Sequence, residues 1–300
     1  MKKEEENMEL RLLNYFWAVT EELHFTRAAE RLGISQPTLS QQIRLLESTL
    51  DTVLFHRGGK KVELTEAGRI LLEHVNRVFF ELDQAKTIIQ ELKGLNRGKL
   101  RIGSSGNHLI YSSLLSFHKQ YPNIKISVFD LKTEKTVERL LNSEFDLGIV
   151  FLPIHHPRIE TIPLFSSKLY VVLSNHHPLV EKDTVHLQEL QEYPLFLLPE
   201  QYLIRQEVDL FSKKSGFRLE PIVELSDTNS LIKMSILNNG FTILPKLYAD
   251  YATDLPIKLV KIADNVPVME IGAIYRKGMI FSTAIQAFLQ HLKDFYQKGN

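Results

Sequence analysis

Between Thr65 and Gly94 the apolar residues Leu71, Val75, Val78, Leu82, Ala85, Ile89 and Leu92 recur at intervals of 4, 3, 4, 3, 4 and 3. A repeat averaging about 3.5 residues is the period of a helix whose apolar edge faces a partner helix. Glu66 to about Leu92 is therefore expected to form one long helix, ended by Lys93-Gly94 and the loop Asn96-Arg-Gly98. A helix packed on its own domain needs a wider apolar face than this strict stripe, so the spacing favours a dimerising linker helix over residues 66–93. The segments on either side of it have different periodicities.

Before the linker, Leu10, Leu13, Phe16 and Trp17 mark an amphipathic first helix. Thr26 is expected to cap a short second helix, Arg27 to Leu32, with Gly33 ending it. Ser35 is expected to cap a third, and Pro37 falls in its first turn, where the missing N–H costs least. Helix, short glycine-containing turn and capped helix make a helix-turn-helix pattern. In the third helix Leu39, Ile43, Leu46 and Leu50 form the buried stripe, while Thr38, Gln41 and Arg44 point away and Gln36 and Ser40 lie on the flanks. Short hydroxyl and amide side chains suit base edges and phosphates in a major groove, though a merely solvated face has the same periodicity. Formal net charge is +0 for the chain, so it shows no overall affinity for nucleic acid; from His24 to Lys61, however, six basic residues face three acidic ones.

Phe25-Thr-Arg-Ala-Ala-Glu-Arg-Leu32, Ser35-Gln-Pro-Thr-Leu-Ser-Gln-Gln-Ile43 and Leu46-Glu47 resemble the signature of LysR-type transcriptional regulators. Leu54-Phe55-His56-Arg57, Val62 and Leu64-Thr65-Glu-Ala-Gly68 continue the likeness in register over about sixty residues. The resemblance implies a winged helix-turn-helix domain over residues 8–65, all-α apart from the wing, a β-hairpin from Phe55 to Thr65 turning at Gly58-Gly59. The DNA-binding residues are then Thr26, Ser35, Gln36, Pro37, Thr38, Ser40, Gln41 and Arg44, with Arg57 and Lys60 in the wing. The family often has basic residues where this chain has Gln41 and Leu45, and a wing arginine where it has Lys60. Phosphate anchoring is accordingly expected to be weaker, with Gln41 reading a base through its amide. Two recognition helices on a homodimer or homotetramer imply a roughly palindromic double-stranded promoter site. RNA polymerase is a further expected partner.

After the linker, strands and helices alternate, which indicates α/β lobes with largely parallel sheets. The resemblance implies a two-lobed, periplasmic-binding-protein-like effector domain. Lobe one is expected to span residues 99–161 and 267–300 and lobe two residues 162–266, with crossings near Thr161 and Pro267. Ligands of such sheets sit at strand ends beside helix N-termini. Ser104, Ser105 and Asn107 occupy such a turn in lobe one, matching the family's effector site, and Thr228 and Asn229 occupy one in lobe two. Plain capping would account for the same residue types. Arg205 is a candidate partner for an effector carboxylate, although an arginine in solvent is the simpler reading. Hydroxyls and helix N-termini favour a small anion or polar metabolite as the effector. No cofactor is expected beside it.

The remaining features set the class. Cys is 0, which removes disulfides, thiolate metal sites and a cysteine redox sensor. The histidine pairs His155-His156 and His176-His177 have no carboxylate at ligand spacing and read as loop residues rather than a metal site. No phosphate loop, nucleophile elbow or zinc-binding His-Glu pair argues for an enzyme. A stand-alone solute-binding protein would fit the second half alone. Met1-Lys-Lys-Glu-Glu-Glu-Asn7 has no apolar stretch and no run approaches a bilayer span, so a cytoplasmic regulator without membrane contact is expected.

Overall fold

The computed structural model describes residues 8–56, 62–92, 98–216, 218–249 and 254–297. The chain forms two compact units that part within a long helix, between Thr87 and Ile88. In the first unit α1 (Leu10–Glu22), α2 (Phe25–Leu32) and α3 (Gln36–Thr49) enclose a core of Phe16, Ala28, Ala29, Leu39, Ile43 and Leu46. The turn into α3 forms as its residues dictate. Gly33 ends α2 with φ +68°, a conformation that glycine adopts without strain. Ser35 Oγ accepts the Thr38 N–H at 3.2 Å, and Pro37 lies in the first turn. At α2 the expectation needs correcting. The cap is His24, whose Nδ1 accepts the Arg27 N–H, and Thr26 sits inside the first turn with its side chain exposed.

β1 (Phe55–His56) and β2 (Glu63–Leu64) pair antiparallel as the base of a hairpin, so this unit carries a small ribbon beside its helices. Glu47 explains why the chain turns there: its carboxylate accepts the Leu54 and Phe55 N–H groups at 2.9 and 3.4 Å. Thr65 then holds the start of α4 (Glu66–Leu92), donating to Val53 O at 2.7 Å and accepting the Gly68 N–H at 3.0 Å. A side chain at position 68 would place Cβ 2.3 Å from Leu54 O, so the backbones meet there only with glycine. Arg57, Gly58, Gly59 and Lys60 lie outside the described residues.

The apolar stripe of α4 divides its work. Val75 is buried in the first unit's core, with Leu71 packed beside it, and Trp17 Nε1 ties α1 to α4 by donating to Asn76 Oδ1 at 3.1 Å. Val78, Leu82 and Ile89 stay exposed, at 39%, 39% and 54%. The linker expectation drawn for Leu71 onward therefore needs correcting: Leu71 and Val75 serve their own domain, and the free stripe begins at Val78.

The second unit follows as β3 (Lys99–Ser104), a 3-10 turn (Asn107–Leu109), α5 (Tyr111–Gln120), β4 (Lys125–Asp130), α6 (Thr133–Leu141), β5 (Leu147–Leu152) and β6 (Ile159–Ser174). Then come β7 (Thr184–Val185), β8 (Phe196–Leu197), α7 (Leu203–Lys214), β9 (Val223–Glu224) and α8 (Thr228–Leu237). β10 (Phe241–Pro245), α9 (Lys246–Ala249), β11 (Ile257–Ile262), β12 (Val268–Arg276) and α10 (Thr283–Gln297) complete it. One sheet runs β4-β3-β5-β12-β6-β11-β7, with β10 also on β6; β8 and β9 pair separately.

The sheets are less parallel than expected. β3 is parallel to β4 and β5, but β12 is antiparallel to both β5 and β6, and β10 and β11 are antiparallel to β6. The cause is topological. β6 carries the chain out of lobe one and β12 brings it back, so neighbours on this path must run in opposite directions. β6 is also longer than expected and contains the crossing itself: it pairs with β12 as far as Lys168, then with β10 and β11 from Leu169 onward. The first crossing thus lies at residues 168–169 rather than at Thr161, and the return falls before Val268, beside the expected Pro267. A continuous core runs through both lobes, with Phe117 against Phe288 in one and Val171, Leu173 and Phe241 in the other. His177 lies in the loop after β6 and is buried there: its Nδ1 accepts the Leu179 N–H, its ring meets Tyr193, and burial lowers its pKa.

Candidate nucleic-acid interface and ligand cavity

The outer face of α3 presents Gln36, Pro37, Thr38, Gln41 and Arg44, all exposed, with Ser40 half-buried and Ser35 exposed at the cap. These residues lie opposite Leu39, Ile43 and Leu46, which are fully buried, so the helix cannot rotate without losing its core. Some of the hydroxyls are already engaged within the helix. Ser35 Oγ meets Thr38 Oγ1 at 2.7 Å, and Gln36 Nε2 donates to Ser40 Oγ at 2.9 Å. The positive charge counted in the sequence is partly spent as well. Arg27 and Arg31 both pair with Glu22, at 3.8 and 3.3 Å, whereas Arg44 makes no ion pair among the described residues. Among the described residues that leaves Arg44 and the amide of Gln41 free to contact another molecule, with Gln36 exposed beside them.

In the second unit a cavity of about 400 Å³ opens between the lobes. Ser105 lines it from lobe one and Thr228 from lobe two, so two of the residues singled out in the sequence meet across it. Ser105 Oγ lies 2.8 Å from Thr133 Oγ1 at the start of α6, joining the β3 turn to that helix. The other candidates fall elsewhere. Ser104 is fully buried and donates its hydroxyl to Gly106 O at 2.8 Å, which shapes the turn but keeps it out of the cavity. Asn107 begins the 3-10 turn, and its side chain lies outside the description. Asn229 is exposed and does not line the cavity, because the α8 cap is Asp227 and the next turn points Asn229 outward.

Arg205 requires the largest correction. It is neither solvated nor in the cavity: the residue is 5% exposed, and its guanidinium donates to Asp209 at 2.8 Å, Glu224 at 2.5 Å and Leu198 O at 3.0 Å. Burial works to lower its pKa, but the bonds to Glu224 and Asp209 outweigh this and raise it. A guanidinium already saturated by two carboxylates has little left for a ligand.

The structure adds residues that the sequence did not signal. Asp130, Lys132 and Thr133 come from the β4–α6 turn, Tyr202 precedes α7, and Tyr248 lies in α9. His108 rests its ring on Tyr248, and a side chain at Gly106 (φ +118°) would collide with that imidazole. Burial lowers the His108 pKa to about 3, so the ring is neutral near pH 7. Asp227 accepts the Ser230 hydroxyl and N–H, and the hydroxyl bond foremost lowers its pKa. Only the strand-to-helix position of Asp130-Leu-Lys-Thr133, equivalent to that of the two noticed turns, could have pointed to any of these.

The comparisons with known proteins fit this geometry. Residues 10–69 match the family described as bacterial regulatory helix-turn-helix protein, lysR family, and residues 93–297 match the LysR substrate binding domain. The transcriptional regulator AlsR of Bacillus subtilis is 31% identical over 79% of this chain and 80% of its own length. The transcriptional activator CmpR of Synechocystis is 30% identical over 95% of each chain. Among solved structures, an OxyR variant from Pseudomonas aeruginosa is 25% identical with a TM-score of 0.76, covering 96% of this chain and 95% of that one. Full-length CbnR complexed with its target DNA is 25% identical with a TM-score of 0.68, covering 96% and 99%. No helix among the described residues is long and apolar enough to cross a membrane. Both halves of the sequence and the fold they build lead to one assignment: the chain belongs to the LysR family and is a DNA-binding transcription regulator, not an enzyme, with a substrate-binding domain behind its helix-turn-helix.

Proposed function

We propose that this regulator works in the cytoplasm as a homodimer or a dimer of dimers, holding two α3 helices against a roughly palindromic promoter site. The observation that carries the reading is the face of α3, which exposes amides and a free arginine opposite a fully buried stripe. Gln36, Pro37, Thr38, Ser40 and Gln41 read base edges, and Arg44, Thr26 and Ser35 border the backbone. Arg57 and Lys60 extend the contact through the wing. The exposed Val78, Leu82 and Ile89 of α4 form the dimer seam. RNA polymerase is a further partner at the promoter.

The cavity between the lobes is the effector site, with Ser105 on one wall and Thr228 on the other. A ligand touching both walls favours one lobe arrangement, and only such differential binding can shift the regulator. With no cysteine in the chain, the signal is a bound molecule rather than thiol oxidation. The test is a promoter reporter assayed alongside operator affinity, with and without the inducing metabolite, for wild type, Ser105→Ala and Thr228→Ala. Loss of the response with basal operator binding intact is expected. Wild-type responses from both variants would place the sensor outside this cavity.

A further inference from the structure

We propose that Trp17 and Asn76 form the joint that fixes the direction in which α4 leaves the helix-turn-helix, and that these two positioning residues thereby set the half-site spacing the regulator accepts. The proposal rests on the reading of α3 as the DNA-contacting helix and of α4 as the dimer seam, and names what holds the one to the other. Trp17 lies on α1, and its Nε1–H donates to Asn76 Oδ1 of α4 at 3.1 Å. The same ring meets Phe79, further along α4, edge-on at 6.2 Å and 76°. Arg31 of α2 places its guanidinium 5.2 Å from the ring centre and pairs with Glu22 of α1 at 3.3 Å. One indole thus touches both the linker helix and the first helix of the helix-turn-helix.

The other contacts at this junction do not fix a direction. Leu71, Leu72, Val75 and Phe79 attach α4 to the core by apolar packing, which rewards burial at any bonding angle. The indole N–H is a donor only, and a hydrogen bond weakens steeply once donor and acceptor fall out of line. Asn76 can therefore meet it only with its amide oxygen, from one side of α4.

Placement along the helix matters as much. Past Phe79 no described residue of α4 joins that core, while Val78 and Leu82 are exposed and belong to the seam. The joint stands where α4 stops serving its own domain and starts serving the partner. An α-helix rises about 1.5 Å per residue, so a tilt of roughly 15° about Asn76 shifts Ala85 by about 3.5 Å. One base-pair step of DNA is about 3.4 Å. Loss of the bond is thus felt as a change of register between two recognition helices rather than as loss of fold, because Trp17 and Asn76 are both half-buried and water can replace either partner.

The experiment uses the full chain and duplexes built from one half-site, which the wild-type protein selects from a random library. The half-site is tested alone and as inverted pairs whose centre is shortened or lengthened by single base pairs, with affinity read by fluorescence anisotropy. Wild type is expected to prefer one spacing. Asn76→Leu removes the acceptor and suits a helix better than asparagine. It is expected to reduce the spacing preference about threefold or more, with affinity for the lone half-site within about twofold of wild type. Trp17→Phe removes the donor but keeps a ring, and is expected to do the same, with the double variant losing no more than either alone. Asn76→Asp keeps the acceptor and should keep the wild-type preference. A preference unchanged in both Asn76→Leu and Trp17→Phe overturns the proposal, as does lone-half-site affinity that falls with it, since that marks a defect of fold. An effect of Trp17→Phe alone assigns the direction to ring packing and overturns the role of Asn76. A wild type with no spacing preference overturns the paired reading of α3 and α4 itself, and the joint with it.

Discussion

Replacing Leu82 by alanine should weaken assembly and leave the fold of the subunit untouched, whereas replacing Val75 in the same stripe should do the opposite. Leu82 is 39% exposed in the single chain and packs into none of the subunit's buried clusters, so its exposed part is what a partner helix can cover. Fully burying a leucine contributes about 1.5–3 kcal/mol, so covering the exposed part contributes about 0.6–1.2 kcal/mol per copy. A two-fold seam contains the residue twice. Leu82→Ala should therefore raise the dissociation constant by about 1–2 kcal/mol, or roughly five- to thirty-fold. Val75 is 1% exposed and belongs to the core around Phe16 and Leu54, so Val75→Ala should cost folding on the order of 2 kcal/mol and leave association nearly unchanged. Sedimentation equilibrium over a range of concentrations measures the first effect, and thermal unfolding followed by circular dichroism measures the second. An unchanged dissociation constant for Leu82→Ala, together with a lowered melting temperature, would refute the division of α4 into an inward and an outward stripe.

Other outcomes follow from the same geometry. Gln41→Ala should relax preference at one base step, by about 1–3 kcal/mol of discrimination, in a competition assay over all base substitutions of the operator; an unaltered preference profile would remove this side chain from readout. Arg44→Ala should weaken binding to all sequences alike and lower the slope of log affinity against log salt by about one, and an unchanged slope would mean that no phosphate is held there. Arg205→Met should destabilise the second unit by no more than the low end of the ~3–5 kcal/mol seen when buried pairs are broken, because Asp209 and Glu224 keep 40% and 41% exposure and can rehydrate. Ligand binding by the folded variant should stay at the wild-type level, and its loss would return Arg205 to the site. Asp227→Ala should cost about 1 kcal/mol through the lost α8 cap. Since the Ser230 bond lowers the Asp227 pKa below the usual 3.8, that contribution is complete above pH 4 and fades as pH falls through the folded value. Urea titrations at pH 7 and at lower pH should show the gap from wild type closing, and a gap that persists in acid would rule out the carboxylate as its source.

The helix-turn-helix was legible because its signals are local. A cap such as Ser35 acts three residues away, and the stripe Leu39, Ile43, Leu46 repeats within one helix. Even there, proximity to a helix start misled: Thr26 has the chemistry of a cap, but His24 holds that position. The second half was legible as alternating elements and as two strand-to-helix turns. Ser105 and Thr228 were found by that rule, while Ser104 fails it because consecutive residues on a strand face opposite sides, and one of the two must point into the core.

By itself, the sequence determined the order of elements, the buried and exposed faces of α3 and the long helix, all consequences of periodicity and capping over a few residues, while the family was legible only through the resemblance of its helix-turn-helix residues. Tertiary structure decided the rest. The antiparallel middle of the sheet depends on which strand crosses between lobes, and that choice is made by pairing β6 with β12, about a hundred residues later. The fate of Arg205 depends on Glu224, nineteen residues away. The acidity of the cavity arises only when Asp130, Glu134 and Asp227 are gathered around one space. Caps and stripes are written in neighbouring residues, but the charge of a cleft is a sum over residues that only folding brings together.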